Sequence, residues 1–537
     1  MPYLAAIAVD RRQSFILSSD KLQEMKGASR LIEESLSRAK ELAKPPEIEV
    51  VRPVSGEVWV LAQDLDRLRD YLWRLRAQLV EQLDLSVTFS VVPYNPVAPH
   101  DPSDGLKTKG GQLEEVLRVW KNNRLAEDGS PASPLFARCR IQPERPANYW
   151  FGHDPKDLEP RRKLLGYGAH IRRERPSEYW KQIKQRVPSA SDWKEPREMQ
   201  DLKASEGDSY VAFIKADVDD LGSIQRDLDW DDLAKRRNCR STDVLHGFSE
   251  AIDDAVKNAV YDTMKQLARP VPANKGEHFP FLPLVLAGDD VWILCRRNLA
   301  LKFAVLAGKR FRESAHNEKD ERLSGIPDRQ NLSISFGVLF AKQGYPIDQQ
   351  LAMAEQLLES AKEHRKGLPK DKQGCLDYFW LASSAREQVD EARREGGGYR
   401  YSDVQSSEEK QVKLFSAPWT LEEAEQVLDA ADQIRRLPKG KLRQLEGILR
   451  LGGPLTKLAL HRWWSHLRET ERTHLKAAFS DPKTGSPKLP ARLSLKEEDF
   501  QSKDGSLPRG PWNSDGTTVL LDLVEIAEIT GKGDGNE

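Results

Sequence analysis

Three aspartates stand where apolar runs end. Asp217 closes "YVAFIKAD" (210–217), and Asp289 and Asp290 occupy the turn of "LVLAGDDVWILC" (284–295). Adjacent carboxylates repel each other and are tolerated where they are solvated or neutralised by something positive. Brought to one sheet edge, the three would form a hard oxygen site suited to Mg²⁺ or Mn²⁺. Two such ions can bind a nucleoside triphosphate, activate a hydroxyl and stabilise a leaving pyrophosphate. Gly288 lets the turn approach a ligand closely. In "KADVDDLGSI", the backbone N–H groups of Val218, Asp219, Asp220, Leu221, Gly222 and Ser223 are candidates to cradle phosphates at a strand-to-helix turn. A GDD turn on its own is more often a polar hairpin tip, so the surrounding elements must decide.

Those elements come twice. "YLAAIAVD" (3–10) matches "YVAFIKAD" (210–217), and "GEVWVL" (56–61) matches "DDVWIL" (289–294). Around the first copy, the patterning predicts a helix over 20–43, strands near 47–52 and 57–62, a helix over 64–83 and a strand near 86–92. Around the second it predicts a strand at 209–217, a helix at 242–268 and a hairpin of strands 281–287 and 290–296. A helix at 299–314, a strand at 332–340 and a helix from 348 complete it. Each order is β-α-β-β-α-β, the ferredoxin-like pattern, in which the first strand lies beside the hairpin. The copies are not equivalent: the first keeps Asp10 but has Gly56 and Glu57 at its turn. Chemistry is therefore expected of the second copy, with the first structural.

The expected fold class is α+β. Residues 1–93 are expected to form a first, degenerate ferredoxin-like domain and 94–205 an irregular insert. Residues 206–375 are expected to form a second, catalytic ferredoxin-like domain, and 376–537 a mostly helical C-terminal domain with a disordered tail. "YNPVAPHDPSDGLKTKGG" (94–111) reads as a loop, with helical pieces near 112–123 and 177–186. "TLEEAEQVLDAADQIRR" opens on a capping box, Thr420 to Glu423.

The 537 residues exceed one hydrophobic core. With 83 Lys plus Arg against 84 Asp plus Glu, no global basic signature of a free nucleic-acid binder exists. Four distant cysteines form no CxxC pair, which points to a reducing, cytoplasmic setting. The apolar start reads as a strand, not a signal peptide, and no stretch approaches membrane-spanning length. "ERPANYWFGH" and "RERPSEYWKQIKQR" mix cations and aromatics as RNA-binding segments do. The weightier reading is that these aromatics anchor the insert. The tryptophans of "HRWWSHLRETERTHLK" read as a core-facing stripe, and Cys295 as a buried small hydrophobe.

On these motifs the second copy resembles the palm of nucleotide cyclases and GGDEF-type cyclases. The whole chain resembles the large subunit of type III CRISPR effector complexes, the Cmr/Csm large-subunit family. "LAGDDVWIL" stands where that family has a GGDD hairpin and "KADVDDLGSI" resembles its first-strand acid motif. "SFILSSDKLQEMKGASRLIEE" and "LPKGKLRQLEGIL" resemble its N-terminal and C-terminal signatures. The resemblance implies conversion of ATP to cyclic oligoadenylate, with two divalent metal ions held by Asp217, Val218, Asp289 and Asp290. It implies a phosphate-contacting Lys362 in "ESAKEHRK" and Ser335 near the nucleotide. Its implied partners are the other effector subunits, CRISPR guide RNA and target RNA, with no membrane.

Three departures stand out. Ala287 replaces the first glycine of GGDD, with the acids intact. The first strand of the repeat opens the sequence, so an N-terminal HD nuclease domain is not expected; His100-Asp101 and His153-Asp154 precede proline in loop-like segments. The zinc-type insert keeps only Cys139, which with His153 falls short of four ligands, so structural zinc is not expected. Two other readings remain: a catalytically silent scaffold subunit, and a stand-alone cyclic-nucleotide synthase.

Overall fold

The computed structural model describes residues 2–19, 21–54, 56–94, 105–123, 149–151, 163–165, 167–205, 207–268, 277–326, 329–369, 374–381, 388–389, 393, 398–402, 409–451, 453–481, 484, 486–500, 510–513 and 516–531. Cys139, His153 and both His-Asp dipeptides lie outside these residues, as does the tail beyond Gly531. The fold is α+β and divides into two compact units. One comprises 1–201, 220–292 and 310–332; the other 202–219, 293–309 and 333–537.

In the first unit, β1 (Tyr3–Val9), β2 (Ile48–Val54), β3 (Glu57–Ala62) and β4 (Val87–Pro93) form a sheet of order β2-β3-β1-β4. β1 pairs antiparallel with both β3 and β4. Its helices are α1 (Arg12–Ile16), α2 (Leu22–Leu42) and α3 (Leu65–Ala77), the last finishing in a π turn at Gln78–Gln82. α4 (Leu106–Asn123) starts six residues inside the segment read as a loop. Its Gly110 explains how: a Cβ there would stand 3.3 Å from the Trp59 indole, so glycine lets the helix lie on that ring.

The insert adds short strands β5 (Tyr149–Phe151) and β6 (Lys163–Leu165), then α5 (Tyr167–Glu174) and α6 (Pro176–Arg186). Its aromatics anchor it. Tyr179, Trp180 and Ile183 are buried, Trp180 meets Phe279 edge-on at 5.8 Å, and the Tyr179 hydroxyl donates to the Pro283 carbonyl. The α2 signature works the same way. Lys26 is fully buried on Glu195 (2.8 Å), and Arg173 donates to Glu24 (2.7 Å).

The second palm comprises β7 (Tyr210–Val218), α7 (Leu221–Asp227), α8 (Trp230–Arg237), α9 (Ser241–Leu267), β8 (Phe281–Ala287), β9 (Asp290–Arg296), α10 (Arg297–Ala315), β10 (Ile334–Lys342) and α11 (Ile347–Lys366). β11 (Cys375–Trp380) follows, where a helical domain was expected to begin. It runs parallel to β10, its Leu376 beside Phe336. The sheet order is β14-β11-β10-β7-β9-β8, where β14 is Trp419–Thr420. β12 (Gly398–Ser402) and β13 (Glu409–Lys413) make a separate hairpin. Helices α12 (Leu421–Ile434), α13 (Lys439–Leu449), α14 (Gly453–Ser465), α15 (Glu469–Phe479) and α16 (Leu520–Thr530) finish the chain. Thr420 and Glu423 form the expected capping box. Trp463 and Trp464 are buried, as is Cys295. Among the described residues no helix is long and apolar enough to cross a membrane.

α16 is tied to β11 by a proton-dependent contact. The Tyr378 hydroxyl lies 2.9 Å from Asp522 Oδ1 and 3.3 Å from Glu525 Oε2, while Ser416 donates its N–H and hydroxyl to Asp522 Oδ2. One hydroxyl proton is shared by two buried carboxyls, an arrangement that favours a proton held on one of them. Burial pushes Asp522 up to about 7 and Glu525 up to about 8. The neighbouring charges are Arg393 at Asp522, and Arg450 and Glu446 at Glu525. The folded unit thus holds protons that the unfolded chain releases near pH 4. Its stability should fall as pH rises from about 5 to about 8 and level off above. Glu525→Gln should flatten that slope, read by urea unfolding at pH 5, 7 and 9; a wild-type curve already flat over this range refutes the shared proton.

Candidate active site

Asp217 is the penultimate residue of β7 and pairs in register with Ser335 of β10. Its carboxylate accepts an ion pair from the Lys362 ammonium, both side chains about a quarter exposed. Lys362 lies on α11, which packs against β7 and β10 because Gly337 removes any side chain between strand and helix. Lysine and first-strand acid therefore meet. Ser335 has another task. It is fully buried, and its hydroxyl accepts the Cys375 N–H at 3.0 Å, pinning the start of β11.

The expected phosphate cradle is only partly available. The Asp219 N–H donates to Ser333 O (2.8 Å), and the Asp219 carboxylate, buried, accepts from the Ser333 hydroxyl (2.6 Å). Burial pushes the Asp219 carboxyl up. Val218 is buried in the β7–β10 ladder opposite Ile334. Asp220 takes a left-handed conformation (φ 55°) and opens α7, whose first N–H groups, on Leu221, Gly222 and Ser223, have no side-chain cap. Gly222 has open space beside it.

In the other unit, Gly288 and Asp289 form the two-residue turn between β8 and β9. Gly288 has φ +64°, and Asp289 is not among the residues of positive φ, the pattern of a Gly-X type II′ hairpin. Asp290 is half-buried and accepts the Trp292 indole N–H at 2.8 Å. The first palm repeats this bond between Trp59 and Glu57 at 3.3 Å, so the acid-Val-Trp motif has the same local geometry in both copies. Ala287 and Asp290 line a cavity of about 290 Å³. Arg11, from the turn after β1, Arg12 and Ser14 of α1, and Ser29 and Glu33 of α2 line it too. Arginines against an aspartate suit a polyphosphate carrying a cation.

The donor atoms at Asp217, Asp289 and Asp290 are all carboxylate oxygens at half-exposed positions, and Asp217 already draws a cation, the Lys362 ammonium. That chemistry fits a hard divalent ion. Among the described residues, however, no three His, Cys, Asp or Glu side chains are gathered closely enough to hold a metal. Asp217 and Asp290 each take a partner nearby.

Comparison with known proteins identifies one segment. Residues 210–371 match the family described as Cas10/Cmr2, second palm domain. Among solved structures, it resembles a Csm1-Csm4 cassette in complex with pppApA, at 14% identity over 98% of this chain and 69% of that one, with a TM-score of 0.51. A cassette in complex with pppApApA matches at 13% identity over the same shares, TM-score 0.49. The apo cassette matches at 16% identity over 68% of this chain and 53% of that one, TM-score 0.41. At such identities the first likeness establishes the fold. A search of curated proteins found no match.

Strand register corrects one correspondence between the two copies. Asp10 donates its N–H to Ser86 O and accepts from the Ser86 and Thr88 hydroxyls. The same positions in the second palm belong to Asp219, Ser333 and Ser335, since Val9 pairs with Val87 as Val218 pairs with Ile334. Asp10 is therefore the counterpart of Asp219, and Ala8 that of Asp217. The first palm has Ala8 at the Asp217 position and Gly56 at the Asp289 position, keeping an acid only as Glu57, which fits a structural first copy. Sequence reasoning missed Arg11 and Arg12; two arginines directly after a strand-ending acid were the available signal.

Proposed function

We propose that this chain is a palm-domain nucleotidyltransferase that converts ATP into linear and then cyclic 3′–5′ oligoadenylate, within an RNA-guided type III CRISPR effector complex. The observation that carries the reading is the cavity shared by Ala287 and Asp290 of the AGDD turn and by Arg11 and Arg12 of the first palm. The Cas10/Cmr2 match over 210–371 and the nucleotides named with similar Csm1-Csm4 cassettes support it.

The 3′-oxygen of one ATP attacks the α-phosphorus of another. A phosphoester bond forms, the bond from the α-phosphorus to the bridging oxygen breaks, pyrophosphate leaves and the hydroxyl proton passes to solvent. Two Mg²⁺ or Mn²⁺ ions, when held by Asp217, Asp289, Asp290 and the Val218 carbonyl, supply charge neutralisation and activation of the hydroxyl. Arg11 and Arg12 bind and orient the polyphosphate. Lys362, paired with Asp217 in this structure, would be available to contact phosphate if a cation took its place at the carboxylate. The N–H groups of Leu221, Gly222 and Ser223 add donors at the start of α7.

The test is ATP turnover by the chain co-purified with its effector subunits and guide RNA, with Mg²⁺ or Mn²⁺, with and without target RNA, and products read by mass spectrometry. Oligoadenylate that requires target RNA is the expected result. Product regardless of RNA makes this a stand-alone synthase. ATP bound in an assembled complex without product makes it a silent scaffold, the state that the Lys362–Asp217 ion pair would preserve.

A further inference from the structure

We infer that Asp253, on α9, is a positioning residue for the AGDD turn; its catalytic consequence rests on the function proposed above. In a two-residue hairpin turn, the N–H of the first turn residue has no partner in the ladder. Here that N–H belongs to Gly288, and it donates to Asp253 Oδ1 at 3.0 Å. The other oxygen, Oδ2, accepts from Lys257 Nζ at 2.6 Å, one helical turn along the same face. The carboxylate is thereby fixed from both sides, with its side chain only 17% exposed.

The opposite side of the turn is closed as well. A Cβ on Gly288 would stand 3.1 Å from Val54 Cγ1, so the glycine backbone lies between the end of β2 and the Asp253 carboxylate. A turn with one backbone bond to a rigid helix and a side chain against its other face has little freedom to rotate. Asp289 and Asp290 follow Gly288 directly, and Asp290 lines the cavity. Their direction thus depends on a helix that itself supplies no ligand. A partner that orients a metal ligand commonly contributes 10- to 100-fold to metal affinity or activity, and that is the size of effect expected here.

The test uses the full chain with Asp253→Ala, Asp253→Asn and Lys257→Met. Backbone hydrogen exchange of the peptide spanning 286–292 needs no ATP and no turnover. Asp253→Ala should accelerate one amide there by at least about 10-fold, while Asp253→Asn, whose side-chain carbonyl still accepts, should stay within about 3-fold of wild type. In the synthesis assay, Asp253→Ala should raise the Mn²⁺ concentration for half-maximal rate about 10- to 100-fold, and Asp253→Asn should largely restore it. Lys257→Met leaves the carboxylate free to swing and should shift both readouts the same way by less, which keeps the test open if Asp253→Ala does not fold. Unchanged exchange in a folded Asp253→Ala overturns the inference, as does an Asn variant as impaired as the Ala variant. A wild type that exchanges as expected but makes no oligoadenylate refutes the proposed function and leaves the anchoring of the turn standing.

Discussion

Asp289→Asn combined with Asp290→Asn should lower oligoadenylate synthesis by at least about 10³-fold, roughly 4 kcal/mol of barrier, while the protein stays folded. Asparagine is the informative replacement. Asp290 accepts the Trp292 indole N–H at 2.8 Å, and an amide oxygen can accept the same bond. Only the negative charge is lost, and with it the attraction for a divalent ion. The melting temperature should move by no more than about 2 °C, because half-exposed turn residues contribute little to the core. Product formation is measured by mass spectrometry and ATP binding by calorimetry in the presence of Mn²⁺. Residual activity within 10-fold of wild type would rule these two carboxylates out as metal ligands.

Gly337→Ala should be among the most damaging single changes in the second palm. A Cβ at this position on β10 would collide with the Ala354 carbonyl oxygen and come within 2.5 Å of Leu358 N and 3.0 Å of Leu357 C. These are backbone atoms of α11, which cannot swing aside as a side-chain tip can. Overpacking costs about 1–3 kcal/mol where side chains give way. Against backbone, the loss should reach about 3 kcal/mol or more, or prevent folding. Any relaxation pushes α11 outward and carries Lys362 away from Asp217, so a surviving variant should also lose turnover. Gly447→Ala is the control. Nothing lies within 4 Å of a Cβ there, inside α13, and the variant should gain about 0.5–1 kcal/mol from helix propensity alone. Urea unfolding of the two variants decides the matter: equal effects of the same sign would refute the close approach of β10 and α11.

Much of the architecture was legible because it is local. Alternation and 3.6-residue periodicity marked both βαββαβ copies to within a few residues, and the strand 281–287, the turn and the strand 290–296 fall where expected. Gly288 was legible for the same reason: a two-residue turn needs a positive φ at its first position, and glycine adopts it without strain. The ion pair between Lys362 and Asp217 became visible only once α11 was placed beside β7. Less legible were β11, whose apolar run lies in a segment read as helical, and α4, where two glycines look like a loop until Trp59 is seen beneath one of them.

By itself the sequence determined the element order, the duplicated palm and the unequal turns, since these follow from residue type and spacing along the chain. Tertiary structure alone decided which acids correspond. Counting from a shared tyrosine aligns Asp10 with Asp217, but register is set by the neighbouring strand, and the bonds to Ser86 and Ser333 align Asp10 with Asp219 instead. Tertiary structure also decided that Ser335 is a buried clasp for Cys375, that Arg11 and Arg12 share a cavity with Asp290, and that Asp253 holds the Gly288 amide. Each of these depends on residues far apart in the chain being folded against one another, and neither hydrophobic period nor motif spacing carries that information.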